Sequence, residues 1–386
     1  MLLRKKTIRW ISLLMACIFM FIGNTAIVKA DDFNFEAKAA ILVENSTGEI
    51  IYEKNAHDKL PIASITKIMT LLLIMEALEQ GKISLEDRVR VSEHASSMGG
   101  SQVYLAVGEE FNVEDLVKSI AIASANDASV AMAELIYGTE EMFVKNMNKR
   151  AQELGMKNTH FKDCTGLTDE GHYSTAYDIA IMSRELLKHE DIHKWLSIWI
   201  DHIRDGEFEL VNTNRLVKFY EGCDGIKTGT TSAAKSCVAA TAKKNSMRLI
   251  AVILGAPNSS ARFKEATALL DYGFANYSTV RVVEKGDMLK RIKVLNSTMD
   301  HIDIKAQDDI NLLINKGEED SITKEIILPE TLTAPIDKDT EIGNVIIKKG
   351  DKEIKRIDII CPQKIERAKF RDFFKKILSR WSSHKH

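Results

Sequence analysis

The stretch Ile65 to Leu78, reading ITKIMTLLLIMEAL, constrains this chain more than any other. It is far too long for a strand, and only Lys67 and Glu76 in it carry charge. A helix without a polar face must be covered on all sides, so it belongs in the middle of a layered domain. Pro61 and Ser64 stand before it and Gly81 after it, as start and stop signals should. Lys67 is thereby carried into an interior that disfavours its charged form.

The surrounding pattern shows what covers the helix. Ala39 to Glu44, a turn at Asn45 to Gly48, and Glu49 to Tyr52 read as a β-hairpin. Leu116 to Ile136, Met142 to Leu154 and Tyr177 to Leu187 read as helices. After Gly229 comes a second hairpin, Ser236 to Ala242 and Met247 to Leu254 about a turn at Lys243 to Ser246. It is apolar enough for a covered central sheet, and a helix over Arg262 to Phe274 packs back on it. The class is α+β, with an α-rich subdomain beside an antiparallel sheet. From about Thr279 to Ile360 the apolar period falls to two in short runs, the pattern of a small all-β sandwich. The expected layout is a catalytic domain over 31–276, a β-rich domain over 279–361 and a terminal helix over 364–386.

Both ends carry targeting signals. Arg4, Lys5, Lys6 and Arg9 precede an apolar run from Ile11 to Gly23, and Val28-Lys29-Ala30 offers small residues for cleavage. Residues 1–30 therefore read as a signal peptide, too short and wrongly flanked for a membrane-spanning helix. Leu14 to Cys17 faintly matches a lipoprotein box, but more apolar residues follow Cys17, so cleavage near Ala30 is expected. At the other end Phe370, Phe373, Phe374, Ile377, Leu378 and Trp381 form one helical stripe. Arg367, Lys369, Arg371, Lys375, Lys376 and Arg380 flank it. A basic amphipathic helix of this kind suits an anionic membrane surface, so the chain is expected to be exported and peripheral, on the outer face of the bacterial cytoplasmic membrane. With both basic ends set aside the body is acidic, which excludes a nucleic-acid binder. Cys164, Cys223, Cys237 and Cys361 are scattered without a C-x-x-C pair and read as buried thiols.

The chemistry rests on ordered motifs. Ser64-Ile-Thr-Lys67 is an S-x-x-K string, but the same pattern recurs at Ser232, Ser321 and Ser382. Ser321 precedes a strand, where residues three apart point to opposite faces, whereas at Ser64 the pair shares one helical face. Only Ser64 is followed in order by Ser124-Ala125-Asn126 and by Lys227-Thr228-Gly229. S-x-x-K, S-x-N and K-T-G together form the known template of penicillin-binding proteins and class A β-lactamases. Each residue has a physical role in acyl transfer. Ser64 is the nucleophile and a neutral Lys67 its base. Ser124 offers a relay to the leaving amine, and Asn126 a brace for Lys67 and the substrate amide. Lys227 and Thr228 suit a terminal carboxylate, and Gly229 lets an acyl chain approach the strand edge. The N–H groups of Ser64 and Thr230 are candidate oxyanion donors.

With these motifs, Gly171 to Asp178 (GHYSTAYD) and Asp224-Gly225-Ile226, the chain resembles the low-molecular-mass penicillin-binding proteins, the serine-type D-Ala-D-Ala carboxypeptidases of peptidase family S11. The resemblance implies a β-lactamase/transpeptidase-like fold and removal of the terminal D-alanine from peptidoglycan pentapeptides, with β-lactams as covalent inhibitors. It also implies that Arg262 helps bind the substrate carboxylate. No cofactor or metal is called for. The alternatives are a β-lactamase, although no E-x-x-L-N string lies between Ser124 and Lys227, and a non-catalytic penicillin-binding scaffold of the cell wall. His189-Glu-Asp-Ile-His193 matches the H-E-x-x-H zinc pattern, with Glu207 or Glu209 as a third ligand, but reads better as a polar helix end. His160 and His172 read as structural loop residues.

Overall fold

A computed structural model describes residues 33–168 and 170–372. The expected signal segment 1–30 and most of the expected amphipathic helix, from Phe373 on, therefore lie outside the described residues.

The central element is a five-stranded antiparallel sheet. Its strands are β1 (Ala39–Glu44), β2 (Ile50–Lys54), β3 (Cys223–Thr231), β4 (Lys235–Lys244) and β5 (Met247–Ala256), in the order β2-β1-β5-β4-β3. Every residue of β1 is buried, and so are most of β4 and β5, as strands covered on both faces require. At the hairpin between β1 and β2, Gly48 takes a φ of 76°, open to glycine at little cost. β3 is an edge strand, paired on one side only, with Lys227 opposite Ala239 and Gly229 opposite Cys237.

The helices named here are α1 (Lys67–Glu79), α2 (Val113–Ala121), α3 (Asn126–Tyr137), α4 (Glu140–Glu153), α5 (Ala176–Leu186) and α6 (Ser259–Asn276). α1 is the expected apolar helix, buried continuously from Lys67 to Met75. Side-chain caps begin the others where sequence supplies them. Asn112, Thr139, Thr175 and Asn258 each accept a first-turn N–H of α2, α4, α5 and α6. α5 and α6 both pack against the sheet.

One expectation differs. Leu116 to Ile136 is not one helix but two, broken between Ala121 and Asn126. The backbone donors that would continue it turn elsewhere: Ala125 N–H bonds the Ser119 carbonyl and Asn126 N–H the Ser101 carbonyl. Ser124 sits in the break at φ 64°, a conformation uncommon for serine.

From Tyr277 onward the described chain is strand-rich, with three small sheets of two, three and three strands. They surround a second apolar cluster, including Ile292, Ile304, Val345, Ile347 and Cys361, distinct from the cluster around α1. Phe370 opens the tail with its ring exposed.

Candidate active site

The chain enters α1 through a single 3-10 turn, Ala63–Thr66, rather than starting the α-helix at Ser64. A 3-10 turn holds three residues per turn, so side chains three apart eclipse. Ser64 and Lys67 are brought together by this tighter winding, with Lys67 Nζ donating to Ser64 Oγ over 3.1 Å. Lys67 has no exposed surface. Its Nζ also donates to Asn126 Oδ1 at 2.5 Å and to the Thr165 carbonyl at 2.8 Å. Burial pulls the amine down to about 8, against weaker opposing effects from Cys164, Asp163 and Asp127.

The helix break brings in the second motif. Asn126 is the first residue of α3, buried, with its amide spent at both ends: Oδ1 on Lys67 and Nδ2 on the Gly99 carbonyl at 2.6 Å. Asp127 beside it accepts the N–H groups of Val103 and Leu105, which fixes the loop before α2 against α3. Ser124 Oγ is buried and has no hydrogen-bond partner, so the resting site does not join it to Lys67.

The third motif lies on the edge strand β3. Gly229 packs against the turn that carries Ser64. A Cβ there would meet the Ile62 carbonyl at 2.8 Å and the Ser64 nitrogen at 2.9 Å. Lys227 is buried, and its Nζ makes one long bond, 3.4 Å, to the Thr228 carbonyl. Burial, followed by the charges of Lys67 and Arg262, pushes its amine well below the usual value. Thr228 Oγ1 donates to Thr213 Oγ1 at 2.8 Å. Arg262 is no surface residue: from the first turn of α6 it reaches under β3 to the Gly229 carbonyl, Thr230 Oγ1 and the Cys237 carbonyl at 3.0–3.2 Å. Its Nε has no partner. Lys227 and Arg262 thus lie buried beside the Ser64 turn with no carboxylate among their hydrogen-bond partners, an arrangement that favours a carboxylate ligand.

Several participants were not legible from motifs. Thr213 lies between Asn212 and Asn214, which are held by backbone contacts. Its polar run before K-T-G is the only sequence signal. The Thr165 carbonyl has none, because any residue supplies a carbonyl. Asp163 and His172, the latter expected to be purely structural, build the turn that aims this carbonyl.

The Ser321 pair and the H-E-x-x-H string are not assembled into sites, and the Ser382 pair lies outside the described residues. Ser321 Oγ donates to the Glu318 carbonyl while Lys324 Nζ reaches the Val282 carbonyl. His189 bonds Glu79 at 2.6 Å, and His193 lies 3.2 Å from Asp224, a carboxylate also held by Arg248. The two imidazoles thus serve different acids, and no cluster of three metal-binding side chains occurs among the described residues. Cys164, Cys223, Cys237 and Cys361 are buried and unbridged.

Comparison with known proteins points to one family. Residues 24–258 match the family model described as D-alanyl-D-alanine carboxypeptidase, and 277–367 that of the penicillin-binding protein 5 C-terminal domain. The D-alanyl-D-alanine carboxypeptidase DacF of Bacillus subtilis is 46% identical over 383 residues, covering 97% of this chain and 98% of its own. Penicillin-binding protein 5 of Haemophilus influenzae is a solved structure with 31% identity and a TM-score of 0.77, covering 87% of this chain and 99% of its own. Penicillin-binding protein D2 of Listeria monocytogenes, solved with ampicillin bound, has 31% identity and a TM-score of 0.58. It covers 63% of this chain and 99% of its own.

Proposed function

Because the chain belongs to the D-alanyl-D-alanine carboxypeptidases of peptidase family S11, we propose that this cleft cuts peptidoglycan pentapeptides through an acyl-enzyme on Ser64. The enzyme is a hydrolase of that type and binds β-lactams. The observation that carries the assignment of residues is the hydrogen-bond set of Lys67. Asn126 Oδ1 and the Thr165 carbonyl can only accept, so they occupy two N–H groups. The remaining direction faces Ser64 Oγ. On a neutral amine that direction is a lone pair aimed at the hydroxyl proton.

The reaction follows from this. Lys67 takes the Ser64 proton as Oγ bonds to the carbonyl carbon of the penultimate D-alanine. The oxyanion is received by the N–H groups of Ser64 and Thr230, at the gap that Gly229 keeps open. When the C–N bond breaks, the proton passes from Lys67 to the departing D-alanine amine, with the free hydroxyl of Ser124 as relay. Water then attacks the ester and returns a proton to Ser64. The terminal carboxylate is held by Lys227, Thr228, Thr230 and Arg262, where it supplies the anion that the buried Lys227 lacks. A β-lactam enters the same first step and opens its ring onto Ser64.

The enzyme is exported and sits peripherally on the outer face of the cytoplasmic membrane, held by residues 364–386. The basic leader and the apolar, cation-flanked stripe support this placement. No described helix is long and apolar enough to cross a membrane.

D-alanine release from a synthetic pentapeptide tests the catalytic assignment. The wild type liberates D-alanine and Ser64→Ala does not; equal release by both would refute it.

A further inference from the structure

The loop that supplies the Thr165 carbonyl is built around one side chain. Asp163 Oδ1 accepts from Thr165 N, Thr165 Oγ1 and Gly166 N at 2.8, 2.9 and 2.5 Å, and Oδ2 accepts from Thr168 N at 2.8 Å. The turn so formed is pressed onto the entry to α1. Gly166 has a φ of 82°, and a Cβ there would lie 1.9 Å from the Ala63 carbonyl. The same carbonyl accepts the Thr66 hydroxyl at 2.8 Å. Thr66 Oγ1 in turn lies 2.8 Å from His172 Nε2, while His172 Nδ1 faces the Lys162 N–H at 3.2 Å. These contacts assign the imidazole proton to Nε2. His172 Nδ1 is 3.9 Å from the Asp163 carboxylate. A closed circuit thus runs from Asp163 through the turn to Ala63, then through Thr66 and His172 back to the loop.

We propose that Asp163 is the positioning residue of the acylation base: it ties the turn that aims the Thr165 carbonyl at Lys67, and its carboxylate, two residues from that carbonyl, is part of the setting in which Lys67 gives up its proton. The inference rests on Lys67 being the base of Ser64. Burial raises the Asp163 carboxyl, but the hydrogen bonds it accepts from Thr168 and Thr165 outweigh burial and hold it low, at about 2. It is therefore anionic throughout the working range. The other titratable or charged groups around Lys67 are Asp127 on α3, Lys227 on β3 and the Cys164 thiol. Asp163 and Asp127 favour the ammonium form, while burial opposes it. One carboxylate thus does two jobs that pull apart: it holds the amine in line and keeps it protonated to a higher pH than burial alone would allow.

The test is the second-order rate of acylation by penicillin between pH 6 and 10, on the full chain. The wild-type rate climbs with pH as Lys67 loses its proton. In Asp163→Asn the climb shifts to lower pH by on the order of one unit, because an anion near the amine is gone. Asp163→Glu keeps the charge but moves the turn, so the climb stays at the wild-type pH while the plateau falls about tenfold or more. Circular dichroism shows which variants fold, and Asp163→Glu carries the test where Asp163→Asn does not. A folded Asp163→Asn whose climb has not moved overturns the proposal, as does an undiminished plateau in Asp163→Glu. A wild type that is not acylated at all overturns instead the underlying assignment of Ser64 and Lys67.

Discussion

Three side chains at the cleft carry positive charge or its potential, and only one of them has its N–H groups fully engaged. Lys67 is held by Ser64, Asn126 and Thr165, whereas Lys227 has a single long contact and Arg262 leaves Nε without a partner. The first is thus prepared for proton transfer and the other two for an incoming anion. Because the Lys67 amine lies near 8 and the neutral form is the base, acylation should rise with pH through that value. A stopped-flow or quenched penicillin assay across pH 6 to 10 measures it, and a rate that falls over this interval contradicts the assignment. Lys67→Arg, whose guanidinium stays charged, should lower acylation about 10²- to 10⁴-fold in a protein with unchanged circular dichroism. Gly229→Ala places a methyl group within 3 Å of the Ile62 carbonyl and the Ser64 nitrogen. It should lower kcat/KM for the pentapeptide about tenfold or more by displacing the oxyanion site. At this scale the sequence pointed to Ser64, Lys67, Asn126 and Lys227 through their motifs, and to Arg262 only through the family resemblance. It was silent on Thr165, which contributes a main-chain oxygen, and on Asp163, whose value lies in the turn it ties.

The elements differ in how well they could be read. α1 and the central hairpins were legible because burial on all sides leaves a long unbroken apolar run. The break between α2 and α3 was not. Ile120 to Ala123 continues the helical pattern, and what stops it is non-local: the Ser101 carbonyl takes the Asn126 N–H. The break matters to function, since it sets Asn126 at the start of a new helix facing Lys67. The start of α1 was misplaced for a similar reason, because Gly166 packs on Ala63 and winds the chain into a 3-10 turn. Two substitutions separate stability from catalysis. Leu72→Ala empties a fully buried position in α1 and should cost about 2–5 kcal/mol, read as a lower denaturation midpoint. Asn258→Ala removes the cap of α6 and should cost about 1 kcal/mol. A loss equal to that of Leu72→Ala would mean that the cap holds more than the helix end.

At the scale of the whole chain, chemistry and placement are carried by different segments. The three motifs converge around α1 and the edge strand β3, while the strand-rich segment beyond Tyr277 has an apolar cluster of its own and none of the catalytic side chains. The basic stripe of residues 364–386 was read from sequence alone. Flotation with anionic liposomes should lift the full-length chain and leave behind one truncated after Ala368; equal flotation of the two would remove the anchor. That cut spares Ile365 and Arg367, which pair with Ile336 and Ser297 rather than opening the expected helix at 364. Catalysis by the truncated form on a soluble pentapeptide should match the full-length rate, since every catalytic group precedes the cut. The central claim is that Ser64 is the atom that becomes acylated, and intact-mass analysis after brief exposure to penicillin tests it most directly. The wild type should gain the mass of one entire β-lactam, because ring opening loses no atoms, and Ser64→Ala should gain none. An unmodified wild type, or an adduct that survives Ser64→Ala, would contradict the account.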